Sequence, residues 1–223
     1  MSWRELVPEV VKVKICGITR WRDAKLAIDA GADLLGFNFY PRSPRFISPL
    51  EARTIIRRVL ARVQAVGVFV NESASDVADL AALIGLDCIQ LHGEEPPEIA
   101  DALARLFPVL KAFRVQPGFR ISALARYRAG ARRGGFLLDS FSRRARGGTG
   151  RTFNWTLARR ARRYGRIFLA WGLTPENVAH AIRLAQPFAV DLCSGVEARP
   201  GRKDPSRLRA LMDAVRAAES RGE

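Results

Sequence analysis

Lys14-Ile15-Cys16-Gly17-Ile18-Thr19-Arg20 closes the first apolar run of the chain (Val11, Val13, Ile15) and opens a helix-patterned stretch near Trp21. Side chains alternate faces along a strand, so Lys14 and Cys16 share one face while Val13 and Ile15 share the other. A thiol therefore stands where a strand hands over to its loop. Taken alone, such a cysteine is more often a small buried hydrophobe than a reactive group. Its meaning depends on what the other strand ends carry.

The same unit recurs along the chain. Apolar runs fall at 11–18, 33–39, 64–70, 87–91, 109–115, 135–138, 167–173 and 188–193. Helix-patterned stretches follow at 22–30, 49–61, 75–84, 97–107, 122–129, 155–164, 175–184 and 204–218. Ser48-Pro49, Ser73 and Thr174-Pro175-Glu176 offer helix starts, and Gly31, Gly85 and Gly165 offer stops. Repeated strand-then-helix units predict an α/β fold, a single-domain (β/α)8 TIM barrel. A doubly wound open sheet would carry a Gly-x-Gly-x-x-Gly turn after an early strand, and Cys16-Gly17-Ile18-Thr19 is not one. The expected layout is an N-terminal tail or barrel-bottom cap at 1–10, the catalytic barrel at 11–218 and a frayed end at 219–223.

The 223 residues, 48% hydrophobic and 26% charged, suit one globular domain with a sizeable core. No apolar run approaches the roughly 18 residues of a membrane span, and Arg4, Glu5 and Glu9 do not read as a secretory leader. Cys16, Cys88 and Cys193 are spaced for neither a disulfide framework nor a metal cluster. A reducing cytoplasmic setting follows, with no cofactor and no metal. The net charge of +15 invites a nucleic-acid partner. However, Arg57, Arg58, Arg126, Arg128, Arg159, Arg160, Arg162 and Arg163 sit beside core-facing apolar positions of helical stretches, as solvated outer faces do. No specific nucleic acid and no membrane partner is expected, only salt-sensitive adhesion to polyanions.

Chemistry in such a barrel sits where strands run into their following loops. Those positions hold Cys16, Asn38 with the loop 40–45, Asn71, Gln90 with His92, Arg114, Asp139, Gly172, and Asp191 with Ser194-Gly195. All but the seventh carry a polar or reactive side chain, and a ring of such residues marks a site. Three late glycine-bearing loops, Gly147-Gly148-Thr149-Gly150, Trp171-Gly172-Leu173-Thr174 and Cys193-Ser194-Gly195, allow backbone N–H groups to approach an anion closely. The loops after strands seven and eight are where barrels commonly hold phosphate. A phosphorylated small molecule is the expected ligand.

Several motifs together resemble the phosphoribosylanthranilate isomerase family of tryptophan biosynthesis. They are Lys14-Ile-Cys-Gly-Ile-Thr19, Gly36-Phe-x-Phe39 followed by Ser43-Pro-Arg45, Val66-Gly-Val-Phe69, Gln90-Leu-His-Gly93, Leu137-Leu-Asp-Ser140, Gly147-Gly-Thr-Gly150, Gly172-Leu-Thr-Pro-Glu-Asn177 and Ser194-Gly-Val-Glu197. The resemblance runs from about residue 11 to 218 and implies an Amadori rearrangement of N-(5-phosphoribosyl)anthranilate to 1-(2-carboxyphenylamino)-1-deoxyribulose 5-phosphate. It implies Asp139 as general acid and Cys16 as general base, with Arg45 pairing with the anthranilate carboxylate. Asp191 would position the substrate amino and hydroxyl groups, and Gly150, Gly172, Ser194 and Gly195 would hold the phosphate. Lys14, on the Cys16 strand face, would favour the thiolate.

Two positions depart from the family pattern. Trp171 stands where the family has a glycine, and Cys193 replaces a small hydroxyl residue beside Ser194. A barrel isomerase acting on the related histidine-pathway substrate is disfavoured, because that family uses an Asp base on the first strand. A barrel that binds a phosphorylated ligand without turnover would have no need of both Cys16 and Asp139. The sequence leaves open whether the chain is a monomer or a homodimer.

Overall fold

The computed structural model describes residues 10–59, 62–140, 155–170 and 172–219. Eight parallel strands close into a barrel: β1 (Lys12–Cys16), β2 (Leu34–Asn38), β3 (Gln64–Phe69), β4 (Cys88–Leu91), β5 (Val109–Val115), β6 (Gly135–Ser140), β7 (Ile167–Leu169) and β8 (Ala189–Leu192). Each strand pairs with the next in sequence, and β8 returns to β1 with Lys14 opposite Asp191. The helices α1 (Trp21–Ala30), α2 (Pro49–Val59), α3 (Ala74–Ile84), α4 (Pro97–Ala104), α5 (Trp155–Ala161), α6 (Val178–Ala185) and α7 (Pro205–Glu219) lie between and after the strands. None of the described helices is long and apolar enough to cross a membrane.

The strand alternation separates two apolar layers. Leu34, Val66, Cys88, Leu110, Leu137 and Phe168 fill the barrel interior, with Cys88 as buried packing. Val13, Ile15, Leu35, Phe37, Ile89 and Phe136 point the other way, into the layer shared with the helices. Burying each large side chain of this kind is worth about 1.5–3 kcal/mol. The outer arginines, Arg57, Arg58, Arg126, Arg128, Arg159, Arg160, Arg162 and Arg163, are all exposed.

Local signals set most boundaries. Ser48 and Glu51 form a reciprocal cap at the start of α2, with Glu51 N donating to Ser48 Oγ and Ser48 N donating to Glu51 Oε2. Ser73 Oγ accepts from Asp76 N at 3.1 Å and starts α3. Gly31 and Gly85 end α1 and α3 in the left-handed conformation.

Four stretches depart from the expected pattern. The 122–129 stretch is a 3-10 turn, Ile121–Tyr127, because its apolar residues Ile121, Leu124 and Tyr127 are spaced by three and line up only at three residues per turn. The 155–164 stretch divides into α5 and a 3-10 turn, Arg162–Tyr164. Thr174 does not start α6. Instead Thr174 N donates to Asn177 Oδ1 at 2.9 Å and Asn177 Nδ2 donates to the Gly172 carbonyl, so these residues form a turn and the helix begins at Val178. The seventh strand stops at Leu169 rather than reaching 173, and Gly172 has left the extended conformation with φ +47°. At the C-terminus Glu219, expected to fray, closes α7 and accepts from Val11 N at 2.7 Å; residues 220–223, like the tail 1–9, lie outside the described residues.

The buried Lys111–Glu95 ion pair lies outside the barrel interior. Lys111 Nζ, on the outer face of β5, reaches Glu95 Oε2 at 2.7 Å and the Gly93 carbonyl at 2.7 Å. Glu95 also accepts from Asn71 N and Gly93 N, which ties the β3 and β4 loops together. Both charged side chains are almost fully buried. Lys111→Met should therefore cost about 3–5 kcal/mol of stability, because it leaves a buried carboxylate without its cation. Tyr127→Phe, which removes only the hydroxyl bond to the Glu95 carbonyl, should cost about 1 kcal/mol. Chemical denaturation would measure both, and equal losses would count against a paired Lys111.

Candidate active site

A cavity of about 610 Å³ opens at the carboxyl ends of the strands. Cys16, Arg45, Asp139, Gly172, Asp191, Ser194 and Gly195 all line it. Of the expected site residues only Gly150 is not placed; it lies outside the described residues, as does Trp171. Asn38, Gln90, His92 and Arg114 also line the cavity. Asn71 does not. Its side chain accepts from Glu94 N at 2.7 Å, and the third strand contributes Val68 and Val70 to the wall instead.

The first strand sets the thiol in a charged, nearly dry corner. Lys14 is fully buried and its Nζ donates to Asp191 Oδ1 at 2.9 Å. Burial works against the ammonium, but the nearby Asp191 and Cys16 outweigh it and raise the lysine pKa. Asp191 is pushed up to about 6, because burial outweighs the pull of Lys14. The neighbouring Cys193 thiol brings Cys16 well below the ordinary thiol value; burial opposes this, and Lys14 and Lys203 reinforce it. The Cys193 thiol itself donates to Glu197 Oε1 at 3.8 Å. Cys193 moves the opposite way, pushed up by Cys16 and by burial. The corner therefore favours charge on Cys16 over Cys193.

Two glycines make room for this corner. Gly36 is the register partner of Cys16 on β2, and a Cβ there would lie 2.7 Å from Cys16 Sγ and 3.1 Å from Lys14 Nζ. Gly17 turns the chain out of β1 with φ +76°, and a Cβ there would lie 2.7 Å from Arg45 Cδ.

The opposite wall carries Asp139, at the end of β6 and in register with Arg114. The Gln90 amide Nε2 donates to His92 Nδ1 at 2.7 Å, so the proton of a neutral His92 ring sits on Nε2, which lies 3.5 Å from Asp139 Oδ2. Arg45 reaches the cavity from the loop after β2. Its Nη2 donates to Glu197 Oε2 at 2.7 Å and its Nε to Glu197 Oε1 at 3.0 Å. Among the described residues, no group of three or more His, Cys, Asp or Glu side chains could hold a metal ion.

Residues 13–214 match the family model described as N-(5'phosphoribosyl)anthranilate (PRA) isomerase. The chain belongs to this family. The N-(5'-phosphoribosyl)anthranilate isomerase of Geobacter sulfurreducens is 48% identical over 203 residues, covering 91% of this chain and 97% of the relative. The crystal structure of phosphoribosyl anthranilate isomerase from Thermotoga maritima aligns with a TM-score of 0.85 at 42% identity, over 93% of this chain and all of that one. A phosphoribosyl anthranilate isomerase solved with reduced 1-(o-carboxyphenylamino)-1-deoxyribulose 5-phosphate aligns with a TM-score of 0.82 at 39% identity, covering 93% and 100%.

In this member of the isomerase family, sequence reasoning passed over Glu197 and Lys203. Glu197 begins β9 (Glu197–Arg199) and Lys203 ends β10 (Arg202–Lys203), a short hairpin turned at Pro200-Gly201. Lys203 Nζ is buried between Glu197 Oε1 at 2.9 Å and the carbonyls of Cys16 and Cys193. The Pro-Gly turn signal between Glu197 and Lys203 was legible, but it does not show that the hairpin folds back over the end of β1.

The thiolate also sets a pH dependence. Activity that needs the Cys16 thiolate falls as pH drops through its depressed pKa. Lys14→Met removes one of the charges that depress it, so the acid limb of the kcat/KM profile should move to higher pH. The same change strips Asp191 of its partner and should lower the thermal midpoint. An acid limb that stays in place would remove Lys14 from the account of the thiolate.

Proposed function

We propose that Cys16 and Asp139 are the base and acid of the Amadori rearrangement of this isomerase, which converts N-(5'-phosphoribosyl)anthranilate to 1-(2-carboxyphenylamino)-1-deoxyribulose 5-phosphate in tryptophan biosynthesis. The observation that carries the reading is that both residues line one cavity from strands on different sides of the barrel, with the Cys16 thiol held well below its ordinary pKa. Asp139 donates a proton to the furanose ring oxygen as the C1'–O bond breaks, and the anthranilate nitrogen lone pair forms the Schiff base. The Cys16 thiolate removes the C2' proton, and the electron pair left behind moves through C1' to neutralise the nitrogen. The resulting enol becomes the ketone as C1' takes a proton and the C2' hydroxyl loses one. General acid–base assistance of this kind contributes typically 10²–10⁴-fold per group.

The binding roles follow the same geometry. Glu197 occupies the Nε–Nη2 side of the Arg45 guanidinium, which leaves the Nη1 end of the fork for the anthranilate carboxylate. Asp191, partnered by Lys14, accepts from the substrate amino and hydroxyl groups. Gln90 Oε1, buried on the cavity wall with no hydrogen-bond partner among the described residues, is a further acceptor for a sugar hydroxyl. Gly172, Ser194 and Gly195 hold the phosphate, and Gly150 completes this set. A Cβ at Gly195 would lie 2.0 Å from the Leu173 carbonyl oxygen, so the backbones of these two loops must stay in close contact. A cytoplasmic setting keeps the Cys16 thiol reduced.

The test is loss of substrate fluorescence with freshly generated N-(5'-phosphoribosyl)anthranilate. Cys16→Ala and Asp139→Asn should each lower kcat by about 10²–10⁴-fold with KM little changed. Gly195→Ala should act mainly on KM by spreading the phosphate loops. Full turnover in Cys16→Ala would overturn the assignment of the base.

A further inference from the structure

Cys193 transfers no proton in the reaction above, yet it is a reactive neighbour of the thiol that does. Ile15 on β1 is the register partner of Leu192 on β8, the last pair of that ladder, and Cys16 and Cys193 are the next residue on each side. Neighbouring strands lie about 4.8 Å apart, which falls inside the roughly 4.4–6.8 Å separation of Cα atoms that a disulfide spans. Both side chains line the same cavity, and each shifts the titration of the other as a neighbour. Cys193 leaves the extended conformation, with φ −126° and ψ −84°, and a Cβ built on Gly17 would lie 3.0 Å from its sulfur. Both thiols face the substrate mouth. The third cysteine, Cys88, is buried in the barrel interior.

We propose that Cys16 and Cys193 form a reversible redox pair that a hydroperoxide closes into a disulfide. The Cys16 thiolate attacks the peroxide oxygen, the O–O bond breaks and Cys16 becomes a sulfenic acid as hydroxide or alkoxide departs with a proton. The Cys193 sulfur then attacks the Cys16 sulfur; its proton and the hydroxyl of the sulfenic acid leave as water, and the S–S bond forms. The sum is two thiols oxidised by two electrons while one hydroperoxide is reduced to water and an alcohol, or to two waters when the oxidant is hydrogen peroxide. The division of labour matches the environment. Cys16, at the corner held by Lys14 and Lys203, reacts first, and Cys193 resolves it.

The consequence for activity rests on Cys16 being the base of the isomerase. The disulfide removes the thiolate and switches turnover off, and reduction restores it. Substrate in the cavity covers both sulfurs and slows the oxidation.

The experiment treats the whole protein with hydrogen peroxide and follows turnover and peptide mass together. The expected result is a tryptic species joining residues 15–20 to residues 184–202, lighter by two hydrogen atoms than the two peptides summed. Turnover should be lost with it and recovered in dithiothreitol. Cys193→Ser should give no linked species; its Cys16 should gain two or three oxygen atoms, and dithiothreitol should not restore the turnover it had before treatment. A linked species with undiminished turnover would uphold the pair and overturn Cys16 as the base. Oxygen addition at Cys16 in the parent protein with no linked species, or equal recovery in Cys193→Ser, would overturn the redox pair.

Discussion

Lys14 and Asp191 are register partners on the two strands that close the barrel, and their ion pair lies inside it. A fully buried ammonium is tolerated only where a counter-charge and hydrogen bonds replace its lost water. The closure of β8 onto β1 supplies both. The same seam places Cys16 and Cys193 side by side at its upper end, so barrel closure and thiol chemistry depend on one set of contacts. Gly36 across the first ladder completes the arrangement by leaving the space that the thiol and the ammonium occupy.

A second network extends that seam toward the substrate mouth. Glu197 holds Arg45 through two nitrogens, Lys203 through one, and accepts from Gly201 N at 3.2 Å. Burial alone would raise the carboxyl pKa, and the two cations hold it below its ordinary value. Lys203 in turn caps the carbonyls of Cys16 and Cys193, and Thr19 Oγ1 donates to the Gly201 carbonyl at 2.8 Å. The hairpin after β8 is thereby fastened to the loop after β1, and Arg45 is held with one face of its fork engaged. Positioning by packed ion pairs limits how far the site can relax between turnovers, which favours a preorganised mouth.

The large positive charge has a separate explanation. The exposed arginines of the helices form a solvated shell around the barrel, while the buried cations Lys14, Lys111 and Lys203 each face a carboxylate. Lys14 and Lys203 stand at the cavity end of β1, and Lys111 ties the β3 and β4 loops together.

The strand and helix order was legible because each element carries its own period. Alternation at Lys14 and Cys16 against Val13 and Ile15 marked a strand with two distinct faces, and Ser48 and Ser73 marked helix starts by local hydrogen bonds that depend only on nearby residues. The ring of polar strand ends followed from the barrel, and with it Cys16, Asp139, Asp191 and the glycine loops as candidates. Where the sequence misled, the deciding contacts were of another kind: the three-residue spacing of Ile121, Leu124 and Tyr127, the Asn177 turn before α6, and Asn71 turned away toward Glu94. Glu197 and Lys203 could not be read as site residues, because their partners Arg45 and Cys16 are distant in the chain. The sequence by itself determined the barrel, its family and the identity of the acid and base candidates, since periodicity and motif are local properties. Only the tertiary structure decided which charges face one another: the Lys14–Asp191 seam, the Glu197 hub and the meeting of Cys16 with Cys193 exist because strands far apart in sequence become neighbours when the barrel closes.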